Sequence, residues 1–267
     1  MSNLRVSELS IYPVKSLGGI SLQRSSVERF GLHNDRRWMV VDDRDRYLTQ
    51  RERSRMCLIQ PEPLATGLRL SAPGMTELEI AHTEKMPSRE VRVWDDRVTT
   101  LDCGDAAADW LSRFLGIDCR LVYFPDDGRR TVDPTYAQAG DITAFSDGFP
   151  ILLITQASLD DLNSRLAEPL PMQRFRPNLV IDGAEPYAED QWKRLRIGDL
   201  TLRVVKPCSR CVIPTIDPAT GERHANAEPL RTLAGYRMRE HKIFFGQNVI
   251  ADGEGQLVVA QPVEVIE

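Results

Sequence analysis

Apolar residues along this chain recur mostly at every second position or in short continuous runs, a pattern of strands rather than helices. Val6-Ser7-Glu8-Leu9-Ser10-Ile11-Tyr12, Arg37-Trp38-Met39-Val40-Val41 and Leu68-Arg69-Leu70-Ser71 predict strands separated by turn residues. Two stretches break the pattern. Between Asp105 and Leu115, Ala106, Trp110, Leu111 and Phe114 fall at helical spacing. Residues 157–162 open a second helix, with Thr155 placed to cap it. Residues 178–181, 195–200 and 202–205 return to strand character, with Gly198-Asp199 as a tight turn. Strands and helices do not alternate as in a doubly wound sheet, and no repeat is present. The pattern therefore predicts a barrel-like, mainly β architecture with appended helices (α+β).

At 267 residues the chain can bury one large core or two closely packed ones. Hydrophobic residues at 42% and charged residues at 27% fit a folded globular protein and not a disordered one. A net charge of −5 argues against a nucleic-acid partner, which would demand a basic excess. No apolar run approaches the roughly 20 residues that cross a bilayer, and Met1-Ser2-Asn3-Leu4-Arg5 leads directly into a strand. A cytoplasmic location with no membrane partner is the expectation. The cysteines number five, and Cys57, Cys103 and Cys119 stand alone, as buried thiols would.

The remaining two form Lys206-Pro207-Cys208-Ser209-Arg210-Cys211. A thiolate beside fixed positive charge is a soft-metal ligand or a nucleophile, and Lys206 and Arg210 are expected to keep one of these sulfurs ionised. Structural zinc, a redox pair and two packed thiols are the alternatives. Zinc lacks its second half-site, because His224 and His241 are isolated. A redox pair wants a helix after the motif, whereas Val212-Ile213-Pro214-Thr215-Ile216 reads as extended.

Cationic turns elsewhere bear on the choice. Pro13-Val14-Lys15-Ser16 ends the first strand with a cation and a hydroxyl, and Gly18-Gly19 then suits backbone approach to an anion. Asp35-Arg36-Arg37-Trp38 and Arg174-Phe175-Arg176-Pro177-Asn178 place arginines at strand entries, where guanidinium groups can fork onto phosphate or carboxylate. Salt-bridged strand ends are the plain alternative. The segment from Pro125 to Phe149 is long for a connection and rich in Asp, Gly and Pro, as site-forming loops are.

In order and approximate spacing, Pro13-Val14-Lys15-Ser16, Asp35-Arg36, Phe175-Arg176-Pro177-Asn178, Cys208-Ser209-Arg210-Cys211, Asp217-Pro218 with Thr220-Gly221, and Phe245-Gly246-Gln247-Asn248 resemble the MOSC-domain proteins. The likeness is to the subgroup of the bacterial YcbX protein and the mitochondrial amidoxime-reducing component, and it runs from Leu4 to Val263. It implies a β-rich N-terminal domain over residues 1–120 packed on a β-barrel MOSC domain over residues 121–267, with molybdenum cofactor (Mo-molybdopterin) between them. By that resemblance Cys211 is the thiolate ligand to molybdenum, a soft metal that suits sulfur. Arg210 would assist the chemistry, and Cys208 would stand behind Cys211. Lys15, Ser16, Arg36, Arg176 and Asn178 would hold the pterin and its phosphate. Ser146, Asp147, Ser209, Gln247 and Asn248 would complete the cofactor site.

The chemistry so implied is reduction of N-hydroxylated compounds: hydroxylamines, amidoximes and N-hydroxylated bases. Asp217 is a candidate proton donor, although Asp-Pro is also a common turn. Some relatives continue into a four-cysteine iron–sulfur segment, and this chain stops at Glu267 with no iron–sulfur cluster motif. Electrons are then expected from a separate ferredoxin, cytochrome or flavoprotein reductase, unless the sequence is a piece of a longer protein. The competing reading is a cofactor carrier or sulfur-relay module without turnover. The N-terminal segment with Lys15 and Arg36, and the lack of a lysine-based pyridoxal phosphate domain, favour the reductase.

Overall fold

The computed structural model describes residues 4–82 and 86–267. Its largest sheet runs in the order Val263–Val265, Arg194–Ile197, Leu200–Ser209, Lys242–Asp252, Ile151–Thr155, Leu179–Asp182, Arg5–Ile11 and Ile20–Leu22, with Met238–Arg239 added beside Lys242–Asp252. Alternating apolar residues from these strands, among them Leu9, Leu153, Leu179, Leu202 and Val249, fill one core. The sheet's first strands thus come from residues 5–22, far in sequence from their neighbours.

The expected barrel is not a closed ladder. The two ends of the sheet approach each other, where Val6 N donates to Gln261 O at 2.9 Å and Val263 N to Leu4 O at 2.9 Å. Strand pairing in that seam is reduced to an isolated Arg5 to Pro262 bridge. Pro262 has no N–H, so a continuous ladder cannot run through it.

Ile151–Thr155 and Leu179–Asp182 pair in parallel, which requires a crossover, and the helix Gln156–Ser164 supplies it. Thr155 caps that helix as predicted, accepting from Ser158 N at 3.3 Å. Both hydroxyls also donate to the buried Glu189 carboxylate.

A second body of strands holds a separate core. Trp38–Asp42, Cys119–Tyr123, Asp96–Asp102 and Ser88–Val93 form a four-stranded sheet, and Gln60–Leu64, Gly67–Ser71 and Leu78–Ala81 a three-stranded one. The helix Asp105–Leu115 covers them with Trp110, Leu111 and Phe114 and stops at Gly116, whose φ of 70° ends it. Cys57 and Cys119 are buried here and Cys103 is half-buried. A fourth sheet joins Gly255–Val258 to Arg24–Glu28 and Gly31–Leu32. No helix among the described residues is long and apolar enough to cross a membrane.

Candidate cofactor site

Six chain segments converge on one cleft of about 150 Å³, which opens into a wider hollow of about 780 Å³. Lys15 and Ser16 follow the first strand, and Arg36 lies just before Trp38–Asp42. Ser146 and Asp147 come from the long loop, and Arg176 and Asn178 from the entry to Leu179–Asp182. Ser209, Arg210 and Cys211 close the remaining side together with Asn248. Three of these residues, Ser16, Arg36 and Arg176, hold left-handed backbone at φ 66°, 48° and 56°. Such conformations are costly for residues other than glycine and collect at ligand sites.

The inner wall is a tied frame. Arg36 Nη1 donates to Asp35 Oδ2 at 2.6 Å and to Asn178 Oδ1 at 2.9 Å, while its Nη2 reaches Arg176 O at 3.3 Å. Asn178 spends its amide on Ser10 O and accepts from Leu152 N, so it binds three strands to one another. Arg176 donates to Leu17 O at 2.7 Å, and its guanidinium lies 4.1 Å from the centre of the Tyr12 ring. Burial raises the Tyr12 hydroxyl to about 12 and lowers Arg176. Both arginines are charge-bearing walls with little freedom to move.

Lys15 is buried and fixed by Phe145 O at 2.9 Å and Asp147 Oδ1 at 2.5 Å. Burial lowers the Lys15 ammonium, and Asp147 offsets part of that. Burial would raise the Asp147 carboxyl, but Lys15 and Arg51 outweigh it and hold it well below the ordinary range. The loop itself hangs on Arg130, which donates to Ala144 O at 3.0 Å and Ser146 O at 2.7 Å.

The strand carrying the cysteines is bulged between Val204 and Lys206 and again between Pro207 and Ser209. Pro207 fits there because a bulge needs no ladder N–H, and a bulge re-aims the side chains that follow. Cys208 and Cys211 are both half-buried, but their surroundings differ. Burial pushes the Cys208 thiol up despite Arg210 nearby. Lys206 is turned aside, with its ammonium 4.3 Å from the centre of the Tyr136 ring. The cation at Cys211 is Arg51. Burial acts to lower Arg51, yet Asp147 and the Cys211 sulfur raise it above its ordinary value.

Arg210 donates to Phe245 O at 2.8 Å and Phe175 O at 2.9 Å. Its Nη2, and the Nε and Nη1 of Arg174, are buried with no hydrogen-bond partner among the described residues. Unpaired buried donors are costly, and a ligand rich in acceptors would satisfy them. Gly246 keeps the space open, since a Cβ there would lie 3.3 Å from that Nη2 and 2.6 Å from Ile154.

Four expectations need correction. Gln247 does not line the cleft: it is buried and donates to Asp190 Oδ1 at 2.7 Å. Gly18 and Gly19 do not line the cleft; their missing side chains make room for Gln60 and the Tyr12 ring. Residues 213–215 form a short 3-10 turn rather than a strand, with Pro214 in the first turn where a missing N–H costs nothing. Asp217 pairs with Arg174 at 3.0 Å and caps its own turn through Ala219 N at 2.8 Å. Unforeseen in the sequence were Arg51 and the exit side of the hollow, where Trp94 and Met238 lie.

This fold and cleft define a MOSC-domain protein. Residues 3–118 match the family described as MOSC N-terminal beta barrel domain, and residues 141–264 match the MOSC domain. Mitochondrial amidoxime-reducing component 1 of Mus musculus is 36% identical over 280 residues, covering 98% of this chain and 82% of its own length. Component 2 of Homo sapiens is 34% identical, over 97% of this chain and 82% of its own, and component 1 of Danio rerio is 33% identical, over 97% and 83%. The chain belongs to the MOSC-domain family, in the group of the amidoxime-reducing components.

Proposed function

We propose that this protein is a reductase of N-hydroxylated small molecules, with molybdenum cofactor held in the cleft and electrons drawn from a separate redox protein. The observation that carries the reading is the Cys211 sulfur set against Arg51 in a donor-lined cleft. Among the described residues no group of three or more His, Cys, Asp or Glu could hold a metal ion. A metal at Cys211 would therefore have to bring its other ligands with it, as a metal bound by an organic cofactor does. The unpaired donors of Arg174 and Arg210 fit the phosphate and pterin of such a group. The names of the relatives supply the substrate class.

When bound, the cofactor supplies a two-electron centre able to take oxygen from an N–OH group. Cys211 would ligate its metal. Lys15, Ser16, Arg176 and Arg210 would grip its anionic and polar edges, with Ser146, Ser209 and Asn248 beside them. Arg36 and Asn178 would keep that frame in place. Conversion of R–NHOH to R–NH₂ and water consumes two electrons and two protons. Asp147, held ionised by Lys15 and Arg51, is suited to accept a hydrogen bond from the N–OH group and not to donate a proton. Ferredoxin, cytochrome or flavoprotein reductase remains the class proposed for the electron source, and the cytoplasm the proposed location.

Elemental mass spectrometry of protein from cells that make molybdenum cofactor is the test, combined with amidoxime reduction driven by a reduced viologen dye. Wild type should carry molybdenum and turn over. Cys211→Ala should lose roughly 100-fold or more in cofactor affinity, and Cys208→Ala about 10-fold or less. Molybdenum without turnover would leave a carrier or sulfur-relay module instead. Wild type devoid of molybdenum would end the reading.

A further inference from the structure

Trp94 lies in the outer hollow and takes no part in the cofactor frame. With Asp95 it makes the turn between the strands Ser88–Val93 and Asp96–Asp102. Its φ is 56°, a conformation that hairpin turns give to Asn, Asp or Gly and that strains a bulky aromatic residue. Burial does not explain an indole at this turn. Trp94 is 39% exposed, whereas Trp38, Trp110 and Trp192 are at most 9% exposed.

Two neighbours fix the ring. The Tyr47 ring centre is 5.2 Å away, and the Arg51 guanidinium lies 4.8 Å from the indole centre. Arg51 in turn reaches Asp147 at 3.3 Å and interacts with the Cys211 sulfur. The indole is therefore one side chain removed from the sulfur at the centre of the cleft. Phe149, Ile243 and the exposed Met238 make the same hollow apolar in part. Strain held in an exposed, oriented aromatic ring beside a reactive group marks a recognition surface.

We propose that Trp94 is a specificity-determining residue that selects flat, aromatic N-hydroxylated compounds. The substrate's ring stacks on the exposed indole while its N–OH group extends along Arg51 toward Cys211. This deepens the reductase reading and rests on it.

Benzamidoxime and acetamidoxime present the same reactive group on a ring and on a methyl. Calorimetric binding of each to cofactor-loaded wild type, W94L and W94F is the experiment. W94L should weaken benzamidoxime about five-fold and acetamidoxime less than about two-fold, while W94F keeps most of the preference. Benzamidoxime should also quench wild-type tryptophan emission, because the other three indoles are buried; W94F should bind it without that quench. W94N suits the left-handed turn, so its Tm should hold or rise while the aromatic preference falls.

Equal losses for both compounds would make Trp94 a prop for Arg51 and overturn the proposal. So would an unchanged preference in W94L, failure of wild type to bind benzamidoxime, or a lower Tm in W94N. A Trp94-dependent preference in protein that reduces neither compound would sink only the reductase reading. Reduction of both compounds with no dependence on Trp94 would sink only the aromatic shelf.

Discussion

Arg36 and Arg51 line the same cleft, yet their surroundings assign them opposite work. Arg36 is tied on all sides, to Asp35, to Asn178 and to the backbone of Arg176. Arg51 touches one half-exposed carboxylate at 3.3 Å, an indole face and a sulfur, and retains donors for a newcomer. The inner arginine spends its hydrogen bonds on holding strands together. The outer one keeps them for whatever enters. Lining a cleft is therefore a weak guide to touching its ligand; what a side chain has left unpaired is the better one.

Substitutions can break this contrast. Arg36→Ala strands the buried Asp35 carboxylate and should cost about 3–5 kcal/mol, read as a large fall in urea midpoint. Little change there would mean that the frame is looser than its geometry. Gln247→Ala removes a donor from Asp190, which keeps Arg237 at 2.7 Å, and should cost about 1–2 kcal/mol while molybdenum content stays at the wild-type level. A fall in molybdenum content would return Gln247 to the cleft.

The pair Lys15–Asp147 sharpens the comparison through pH. Folding holds the Asp147 carboxyl below the ordinary 3.8, so the unfolded chain binds its proton first as acid is added. The stability lent is fully present above pH 3.8 and lost as pH falls through the folded value. Asp147 is half-exposed, so the effect is below about 1 kcal/mol. Asp147→Asn should be less stable than wild type at neutral pH, and the gap should close in acid; a gap independent of pH would contradict the ion pair. Arg51→Ala should move stability least, by under about 0.5 kcal/mol, yet lower cofactor retention about ten-fold.

Much of the site was legible because its residues occupy contiguous stretches at strand ends. Lys15-Ser16, Arg176 with Asn178, and Ser209-Arg210-Cys211 each announce donors or a thiolate within a few positions. The helix Asp105–Leu115 was legible for another reason, its apolar spacing. Arg51 was hidden among the alternating charges of Arg51-Glu52-Arg53-Ser54-Arg55, and nothing in a linear pattern says which of three arginines turns inward. Trp94 was hidden because a hairpin turn is normally signalled by Asn or Gly. Gln247 could have been excluded. Successive strand residues face opposite sides, so Gly246 and Asn248 in the cleft put Gln247 on the other face.

The long-range pairing of the curled sheet also sets an order of events during synthesis. The Arg5–Ile11 strand leaves the ribosome early, but its partner Leu179–Asp182 is made much later, and the backbone contacts at residues 260–263 later still. Until then one edge of that strand has no partner to pair with. Folding of this sheet is accordingly expected to be slow. A cleft that gathers residues from Lys15 to Asn248 is complete only once Asn248 has been made.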